Sequence, residues 1–290
     1  MGSYAELGDA VQPADEEQHS DLTPGEIRLR RLLAAGGAIA VVVGLLVFVP
    51  RLLRDEPPPR WDPPGWAAPV FPFEPSEPAG EPQIFVSGPQ MTAEFSAGGR
   101  MISVTVAGQS PKWSIDLVEE HPADVGGRPA TVRTAPNSVG VVWQLTDSRW
   151  LMVDGNTTED EILEFARGLR PGSVSSPAPF DFAEVPPGLT LQQQSPWMMC
   201  LASPEAAAAA VPPSGICAYL PRSPDRLQPL PDAEPVIVGG LSGRYRKNRD
   251  GGEMRVDLGD GRILDVYWDR TIRLGRDGVI RFAEATGLTG

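Results

Sequence analysis

Residues 143–169 read WQLTDSRWLMVDGNTTEDEILEFARGL, and the fold of the chain is decided by this stretch. Two apolar segments with Asp147-Ser148 between them predict two strands joined by a short turn. Thr158 followed three residues later by Glu161 matches a capping box, which marks the start of a helix. The apolar residues after it recur with helical period, which predicts one amphipathic helix. The order is therefore strands first and helix last.

The sequence upstream of this stretch adds further strands. Apolar residues alternate at 101–106 and again at 112–118, as in strands with one buried face. Successive strands with short connections pair antiparallel, because parallel strands need long crossovers. Residues 83–170 are therefore predicted as an α+β module, an antiparallel sheet with a C-terminal helix.

Part of this module recurs later in the chain, at an offset of 113. Nine of the 29 residues at 125–153 are identical to their counterparts at 238–266, where average composition gives roughly two matches. Residues 180–290 are therefore predicted as a second, related α+β module. Residues 171–179, PGSVSSPAP, are predicted as the linker between the two modules.

The elements of the second module follow from the same patterns. Its predicted strands are 189–191, 197–201, 236–238, 254–258 and 263–268, and its predicted helices are 204–211 and a terminal helix around 279–283. Further upstream, Gln109-Ser110-Pro111 resembles residues 194–196 at an offset of 85. The difference between the two offsets predicts 28 extra residues in the second copy, between Trp197 and Val238.

Residues 32–49, LLAAGGAIAVVVGLLVFV, form a continuous run without a charged side chain. A helix of that length measures about 27 Å, close to the ~30 Å hydrocarbon core of a bilayer. A buried core helix would show a polar face, and a cleaved signal peptide a small-residue exit site, so a retained transmembrane helix is predicted. Gly36, Ala40 and Gly44 form a ridge on which two such helices could dimerise, although Gly and Ala are common in membrane helices anyway.

The anchor separates a short tail from a long remainder. Residues 1–31 are predicted to be a mostly disordered cytoplasmic tail. Residues 50–82 are predicted to be a Pro-rich stalk, in which Trp61 and Trp66 either lie at the membrane interface or pack onto the folded part. Long segments after an anchor translocate largely regardless of charge, so residues 51–290 are predicted to be extracytoplasmic, with the chain crossing the cell membrane once.

The net charge of −13, from 38 acidic and 25 basic residues, argues against nucleic acid as a partner. Phosphate binding needs clustered positive charge, and the acidity here is spread along the chain. The predicted partners are membrane lipid, through the anchor, and a protein of the membrane or cell envelope. A homodimer through the small-residue ridge is a further hypothesis.

Cys200 and Cys217 are the two cysteines of the chain. In the oxidising compartment outside the membrane, a disulfide between them is predicted, closing a loop of ~15 residues. Two buried free thiols are the alternative. A metal site would need more ligands nearby, and neither histidine lies in this part of the sequence.

The sequence contains no motif of a catalytic, metal or cofactor site, so the chain is predicted not to be an enzyme. His19 and His121 are far apart and match no triad. Asp154 and residues 159–161 form a group of carboxylates that suits acid–base chemistry or calcium binding. Acids at a helix N-terminus are also explained by the helix dipole.

The run RYRKNR at residues 244–249 is a small basic patch that could dock an acidic partner or anionic lipid. Its charges alternate along a predicted strand, which favours a solvated sheet face over a ligand site. The four basic residues of the patch are Arg244, Arg246, Lys247 and Arg249.

The stretch at 143–169 resembles a pattern in exported domains of actinobacterial single-pass membrane proteins, which include uncharacterised families and the outer domains of some anti-sigma factors. In that pattern, a strand pair bearing Trp precedes a Thr/Ser-capped helix ending in an FA-x-x-L run, here residues 165–169. The resemblance implies an extracytoplasmic domain. Anti-sigma factors carry a larger cytoplasmic domain, often with zinc ligands, so a tail that ends at residue 31, with one His and no Cys, does not support that function.

These features favour a single-pass, membrane-anchored extracytoplasmic module for binding or sensing, without enzymatic activity. One alternative is a cell-envelope hydrolase whose site is assembled from carboxylates far apart in sequence, with Asp154, Asp160 and Glu161 as the best candidates. The other is an accessory subunit whose anchor and tail recruit another membrane protein. The sequence identifies neither a ligand nor a partner.

Overall fold

The structure is a computed structural model that describes residues 60–77, 80–97, 100–111, 113, 119–209, 214–224 and 227–289. The predicted tail, the predicted transmembrane helix at 32–49 and its ridge of Gly36, Ala40 and Gly44 lie outside the described residues. Among the helices of the described residues, none is long and apolar enough to cross a membrane.

Strands dominate this part of the chain, and the predicted α+β class is wrong. The described residues form eighteen strands and three helices, and fourteen of the strands make one antiparallel sheet instead of one sheet per module. The two amphipathic helices are only 10 and 9 residues long, whereas most other apolar segments alternate and enter a sheet. The helices therefore cover a β structure and do not form half of the architecture.

The first half of the described structure comprises nine strands and one helix. In chain order these are β1 (Phe71–Pro75), β2 (Gln83–Ser87), β3 (Gln90–Ala97), β4 (Arg100–Ala107), β5 (Glu119–Val125), β6 (Arg128–Ala135), β7 (Ser138–Thr146), β8 (Arg149–Gly155), α1 (Glu159–Gly168) and β9 (Leu169–Val174). Seven strands lie in the order β2-β3-β4-β8-β7-β6-β5, and β1 and β9 form a separate antiparallel pair.

The second half has the same elements and one additional short helix. These are β10 (Phe180–Phe182), β11 (Thr190–Ser195), β12 (Met198–Ala202), α2 (Pro204–Ala207), β13 (Ile216–Tyr219), β14 (Glu234–Val238), β15 (Leu241–Asn248), β16 (Gly251–Asp257), β17 (Ile263–Asp269), α3 (Arg276–Glu284) and β18 (Thr286–Leu288). The strand order β11-β12-β13-β17-β16-β15-β14 repeats that of the first half, and β10 pairs with β18. The halves join where β2 pairs antiparallel with β11.

The offset between the two copies of the repeat holds in the pairing register. Ala130 lies opposite Trp143, and their counterparts Gly243 and Val256 also lie opposite each other. In both halves the preceding turn is a glycine pair with positive φ at both positions, at 126–127 and at 239–240. A type I′ hairpin turn needs positive φ at both central residues, so these glycines recur for a backbone reason.

Upstream of that block, the predicted correspondence at an offset of 85 is wrong. Gln109 follows β4, whereas Gln194 lies in β11, whose counterpart in the sheet order is β2. The extra length of the second half lies between β12 and β13, where residues 203–215 include α2. This segment lies within the predicted interval but is shorter than the predicted insertion. The repeat also begins earlier than residue 83, because β1 and β10 carry the same Phe-x-Phe sequence.

Each half packs one face of its sheet, the inner face, against a helix, which gives two apolar cores. The capping box of α1 is confirmed: the Thr158 side chain accepts from the backbone N–H of Glu161, and Glu161 accepts from the backbone N–H of Thr158. The buried helix residues that contact the sheets are Ile162, Leu163 and Ala166 in α1, and Val279, Phe282 and Ala283 in α3.

Part of the segment that composition assigns to the stalk is folded. β1 pairs with β9, and Trp61 is 6% exposed in the core of the second half. The Arg281 guanidinium lies 4.6 Å from the centroid of the Trp61 ring, and Trp66 contacts Phe182 edge-on. Both tryptophans therefore pack onto the folded part, which is one of their two expected locations. The module boundaries at 83–170 and 180–290 stay predictions.

Candidate functional site

In each half, described residues of one long connection lie on the face of the sheet opposite the helices, which we call the outer face. In the second half this connection leads from β13 to the edge strand β14, and we call its described residues, 220–224 and 227–233, the strap. The backbone carbonyl of Gln228 in the strap accepts a hydrogen bond from Arg255 Nη1 in β16. The strap therefore lies over the outer face of the second half.

An open groove of about 630 Å³ lies between the strap and the outer face, and we call it the strap groove. The strap contributes an apolar wall, and the strands contribute a largely polar floor. The wall consists of Pro224, Pro229 and Leu230, and the floor includes Ser242, Arg244, Arg255, Asp257 and Ile263. Such a groove suits a ligand that has both charged and apolar groups.

The four basic residues predicted as one patch are separated by the structure. Arg244 is exposed and lines the strap groove. Arg246 lies on the same face but forms an ion pair with Glu253, with 3.3 Å between Nη2 and Oε2. Lys247 projects to the other side of β15, and Arg249 lies in the turn that follows. Of these four residues, Arg244 is the one that the fold places in the groove.

Beneath the strap, Arg255 is held by a cluster of acceptors. Its Nη2 donates to Glu253, and its Nε lies 3.6 Å from Asp265 Oδ2. Asp265 is 6% exposed and lies opposite Arg255 in the register of β16 and β17. Burial and the negative charge of Glu253 raise the pKa of Asp265 to about 6, and Arg255 opposes this shift only in part. Asp265 therefore changes charge near neutral pH.

This cluster fixes one guanidinium and leaves another available. Arg255 is engaged by Glu253, Asp265 and the strap, so its charge is compensated inside the protein. Arg244, in contrast, forms no ion pair with any described residue. A guanidinium binds carboxylates through parallel hydrogen bonds, so Arg244 can receive an acidic group from outside.

The predicted disulfide between Cys200 and Cys217 is confirmed. The two residues lie opposite each other on β12 and β13, with their Cα atoms 4.0 Å apart. The loop between them is also fixed by the buried Gln192 in β11. Its Nε2 donates to the carbonyl of Ala206 and to Ser214 Oγ, and its Oε1 accepts from the backbone N–H of Ser214. Gln192 therefore holds Ala206 and Ser214, which belong to the two described parts of the additional loop, against the sheet.

The three carboxylates considered for catalysis are not brought together. Glu161 belongs to the capping box of α1 on the inner side, where hydrogen bonds from two threonines lower its pKa to about 2. Asp160 is exposed at the start of the same helix. Asp154 lies on the outer face, where burial and the charge of Glu94 raise its pKa to about 6. The sheet separates Asp154 from the other two.

Sequence reasoning missed two of the acids that matter at the outer face, Glu94 and Asp265. Each occupies a position in a strand whose neighbours in sequence are buried and apolar, and that alternation was the signal available. His121 lies 2.9 Å from Glu159 Oε1, a contact between β5 and the start of α1. In the described part of the chain, no group of three or more potential metal-binding side chains is found.

The first half has an open groove of about 540 Å³ at the equivalent place. Three of its lining residues occupy repeat positions that also line the strap groove. They are Thr131, equivalent to Arg244, Gln144, equivalent to Asp257, and Trp150, equivalent to Ile263. Arg128 lies at its end and donates to the carbonyl of Leu145, 2.6 Å away. This groove therefore has uncharged side chains at the positions where the strap groove has Arg244 and Asp257.

The connection over the first half places Trp113 on the outer face. This residue is not part of a strand, contrary to the prediction for 112–118, whose other residues lie outside the described part. A Cβ atom at Gly140 would lie 2.1 Å from the Trp113 ring, so only glycine leaves room for it. Arg133 covers the ring, with its guanidinium 5.2 Å from the centroid.

The two outer faces therefore share a backbone and differ in chemistry. The second half combines an available guanidinium, a compensated buried cluster and an apolar wall, which is an arrangement suited to binding an acidic, partly apolar ligand. Comparison with protein-family models and with curated proteins found no match to this chain.

Proposed function

We propose that this chain is a membrane-anchored, non-enzymatic binding protein of the cell envelope. Its extracytoplasmic part binds an acidic segment of a partner protein in the strap groove. The observation that carries this proposal is Arg244, a guanidinium on the groove floor that has no ionic partner within the described residues. Its neighbour Arg255 is already neutralised by acids of the same cluster.

Charge supports an acidic partner. The chain carries a net charge of −13, so an available arginine in a concave site is an exception to the charge of the molecule as a whole. A guanidinium without an ionic partner attracts a negatively charged group of a ligand. Asp257, the acid on the same floor, accepts a hydrogen bond from the backbone N–H of Gly259 and so stabilises its own turn.

Apolar groups beside the groove support a partner segment with apolar side chains as well. Ile237 is 64% exposed, and it lies opposite Ser242 of the groove floor. Together with Leu230 of the strap, Ile237 extends the apolar wall towards the edge of the sheet.

The cellular location rests on two features. The disulfide suits an oxidising compartment such as the outside of the cell membrane. The uncharged run at 32–49 is long enough for an anchor. Both features are explained if the chain crosses the membrane once, with its N-terminus in the cytoplasm. The resemblance to exported actinobacterial domains supports the same location.

The test uses the full chain in nanodiscs of zwitterionic lipid. Two short fluorescent peptides are titrated by anisotropy, one in which Glu alternates with Leu and one in which Lys replaces Glu. We expect the acidic peptide to bind more tightly, with an affinity that falls as salt is added. Arg244→Glu should weaken its binding at least tenfold, because a charge-assisted hydrogen bond is worth about 1.5–3 kcal/mol.

The matched control is Thr131→Glu, which places the same acid at the equivalent position of the first half. This variant should bind the acidic peptide as the wild type does. Equal affinity for the two peptides, or an Arg244→Glu variant that binds normally, would contradict the proposal.

A cell-envelope hydrolase is a second candidate, favoured by one observation. Burial raises the pKa of Asp154 and of Glu94, which lie near each other on the outer face of the first half. A raised carboxyl pKa is what a general acid needs. If the full chain hydrolyses any envelope glycan or ester, Asp154→Asn should abolish that activity, and a variant that stays active would remove this candidate.

A further inference from the structure

A second concave site lies on the inner side of the second half, away from the strap groove. It is a pocket of about 320 Å³ between residues 64–69 and strands β10–β12. Gln194 lines it and is only 2% exposed. We call it the Gln194 pocket, and its size falls at the lower end of the range for sites of small molecules.

The Gln194 side chain has an unused hydrogen-bond acceptor. Its Oε1 atom is buried and has no hydrogen-bond partner among the described residues. Buried polar atoms in folded proteins nearly always have a partner, because an unpaired acceptor has lost its water without compensation. The oxygen is therefore available to accept a hydrogen bond from water or from a donor of a molecule that enters the pocket.

The internal repeat shows that the fold itself does not need an amide at this position. Val104 and Ala218 are counterparts, because they lie opposite Val153 and Val266, which are equivalent positions of the repeat. Across the next two strand pairs, the position of Gln194 corresponds to that of Ile84.

Ile84 is 1% exposed and lies in the core of the first half. The same place in the sheet is thus filled by an aliphatic side chain in one half and by an amide in the other. A polar group that packing does not require indicates a role in recognition.

The walls of the pocket are aromatic and apolar. Trp66 and Phe182 meet edge-on, with ring centroids 6.3 Å apart, and Phe180 and Met199 add to the lining. The single ionisable side chain among the described lining residues is the exposed Asp181. A charged ligand would find no compensating group beside Gln194, so the pocket fits an uncharged molecule.

We propose that the Gln194 pocket binds a small, uncharged, largely apolar molecule with one hydroxyl or N–H donor. The apolar part lies against Trp66 and Phe182, and the donor makes its hydrogen bond to Gln194 Oε1. This site is separate from the strap groove and does not depend on the function proposed for it.

The test compares two probes of nearly the same shape, 2-naphthol and 2-methoxynaphthalene, because the second lacks the donor. Binding to the full chain in nanodiscs is measured by equilibrium dialysis, with empty nanodiscs of the same lipid as the blank. The wild type should bind 2-naphthol about tenfold more tightly than the ether, the ratio expected for one hydrogen bond to a buried acceptor.

Gln194→Ile, which copies the first half, should bind both probes equally. Gln193→Leu is the matched control, because Gln193 pairs with Cys200 on the outer face and does not line the pocket. It should keep the tenfold ratio, and Trp66→Ala should weaken both probes. Absence of saturable binding by the wild type, equal affinity for the two probes, or a ratio that survives Gln194→Ile would overturn the proposal.

Discussion

The two halves of the sheet have the same strand order and register, yet they differ in what lies on the outer face. In the first half, Trp113 packs on Gly140 of β7. Two residues further along the same strand, Val142 lies opposite Met152 of β8. In the second half, the counterparts of Gly140, Val142 and Met152 are Glu253, Arg255 and Asp265, which form the charged cluster under the strap.

This difference separates what the fold requires from what it only permits. The inner faces are apolar in both halves and carry the two cores. The outer faces hold either apolar or charged residues on one backbone, so their chemistry is free to serve recognition. A buried charged cluster is weak support for stability, because desolvation offsets much of the attraction. Its presence in one half therefore points to function.

The largest expected effect tests whether the two helices contribute equally to the cores. Phe282 in α3 is 0% exposed, whereas its counterpart Phe165 in α1 is only half-buried against Phe95. Phe282→Ala should lower the free energy of unfolding by about 4 kcal/mol, because it leaves a cavity in the core. Phe165→Ala should cost clearly less. Urea unfolding of the full chain followed by circular dichroism measures both, and equal losses would contradict this difference.

The disulfide is the next largest difference between the halves. The residues at the positions of Cys200 and Cys217 in the first half are Glu94 and Ser103, which lie opposite each other without a covalent bond. The double variant Cys200→Ser with Cys217→Ser should lose about 3 kcal/mol, because the unfolded chain regains the freedom of the closed loop. Dithiothreitol should destabilise the wild type by a similar amount and leave the double variant unchanged. A wild type insensitive to reduction in urea would contradict this account.

The comparison also explains how much the sequence alone could reveal. Local patterns of neighbouring residues were enough to predict the strands of 139–153 and the helix capped by Thr158. The disulfide was predictable because it depends on one pair of side chains. The β class was not predicted, because the pairing of β2 with β11, which joins the two halves into one sheet, involves residues over 100 positions apart.

The candidate site was harder to predict for the same reason. Arg244 was noticed in a run of basic residues, but its separation from Arg246 depends on which cross-strand residue pairs with each of them. Asp265 lies between apolar neighbours in β17, whereas Gln194 is the last of three consecutive glutamines in the polar strand β11. Only the strands and connections packed around them show that both are buried. The start of the repeat before residue 83 could have been predicted from one feature of the sequence, the Phe-x-Phe sequence that β1 and β10 share.

The charged cluster of the second half should make stability depend on pH. Burial and Glu253 raise the pKa of Asp265 from 3.8 to about 6, against the attraction of Arg255. The folded state then holds its proton more tightly than the unfolded state, so this contribution is full below pH 3.8 and is lost as pH rises through 6. The stability of the wild type relative to Asp265→Asn should fall by roughly 2–3 kcal/mol between about pH 4 and pH 7.

Urea unfolding of both proteins at several pH values measures that difference. Met152→Asn is the control, because it places the same amide at the equivalent position of the first half and removes no titrating group. Its curve should run parallel to that of the wild type. The prediction is wrong if the difference in the free energy of unfolding between the wild type and Asp265→Asn is the same at every pH in this range. Asp265 would then titrate as an exposed acid does.

The smallest expected effect concerns the starts of the two helices. α1 begins with the capping box of Thr158, whereas the N-cap of α3 is Gly275, which makes no side-chain hydrogen bond to the helix. A Cβ atom at Gly275 would meet nothing within 4 Å, and its φ of −71° suits any residue. Gly275→Ser should therefore raise the free energy of unfolding by a few tenths of a kcal/mol, since the serine hydroxyl can accept a hydrogen bond from a backbone N–H in the first turn of α3. Thr158→Ala should cost about 1 kcal/mol in the same urea assay. A loss of stability in Gly275→Ser would mean that α3 needs its glycine for a reason other than capping.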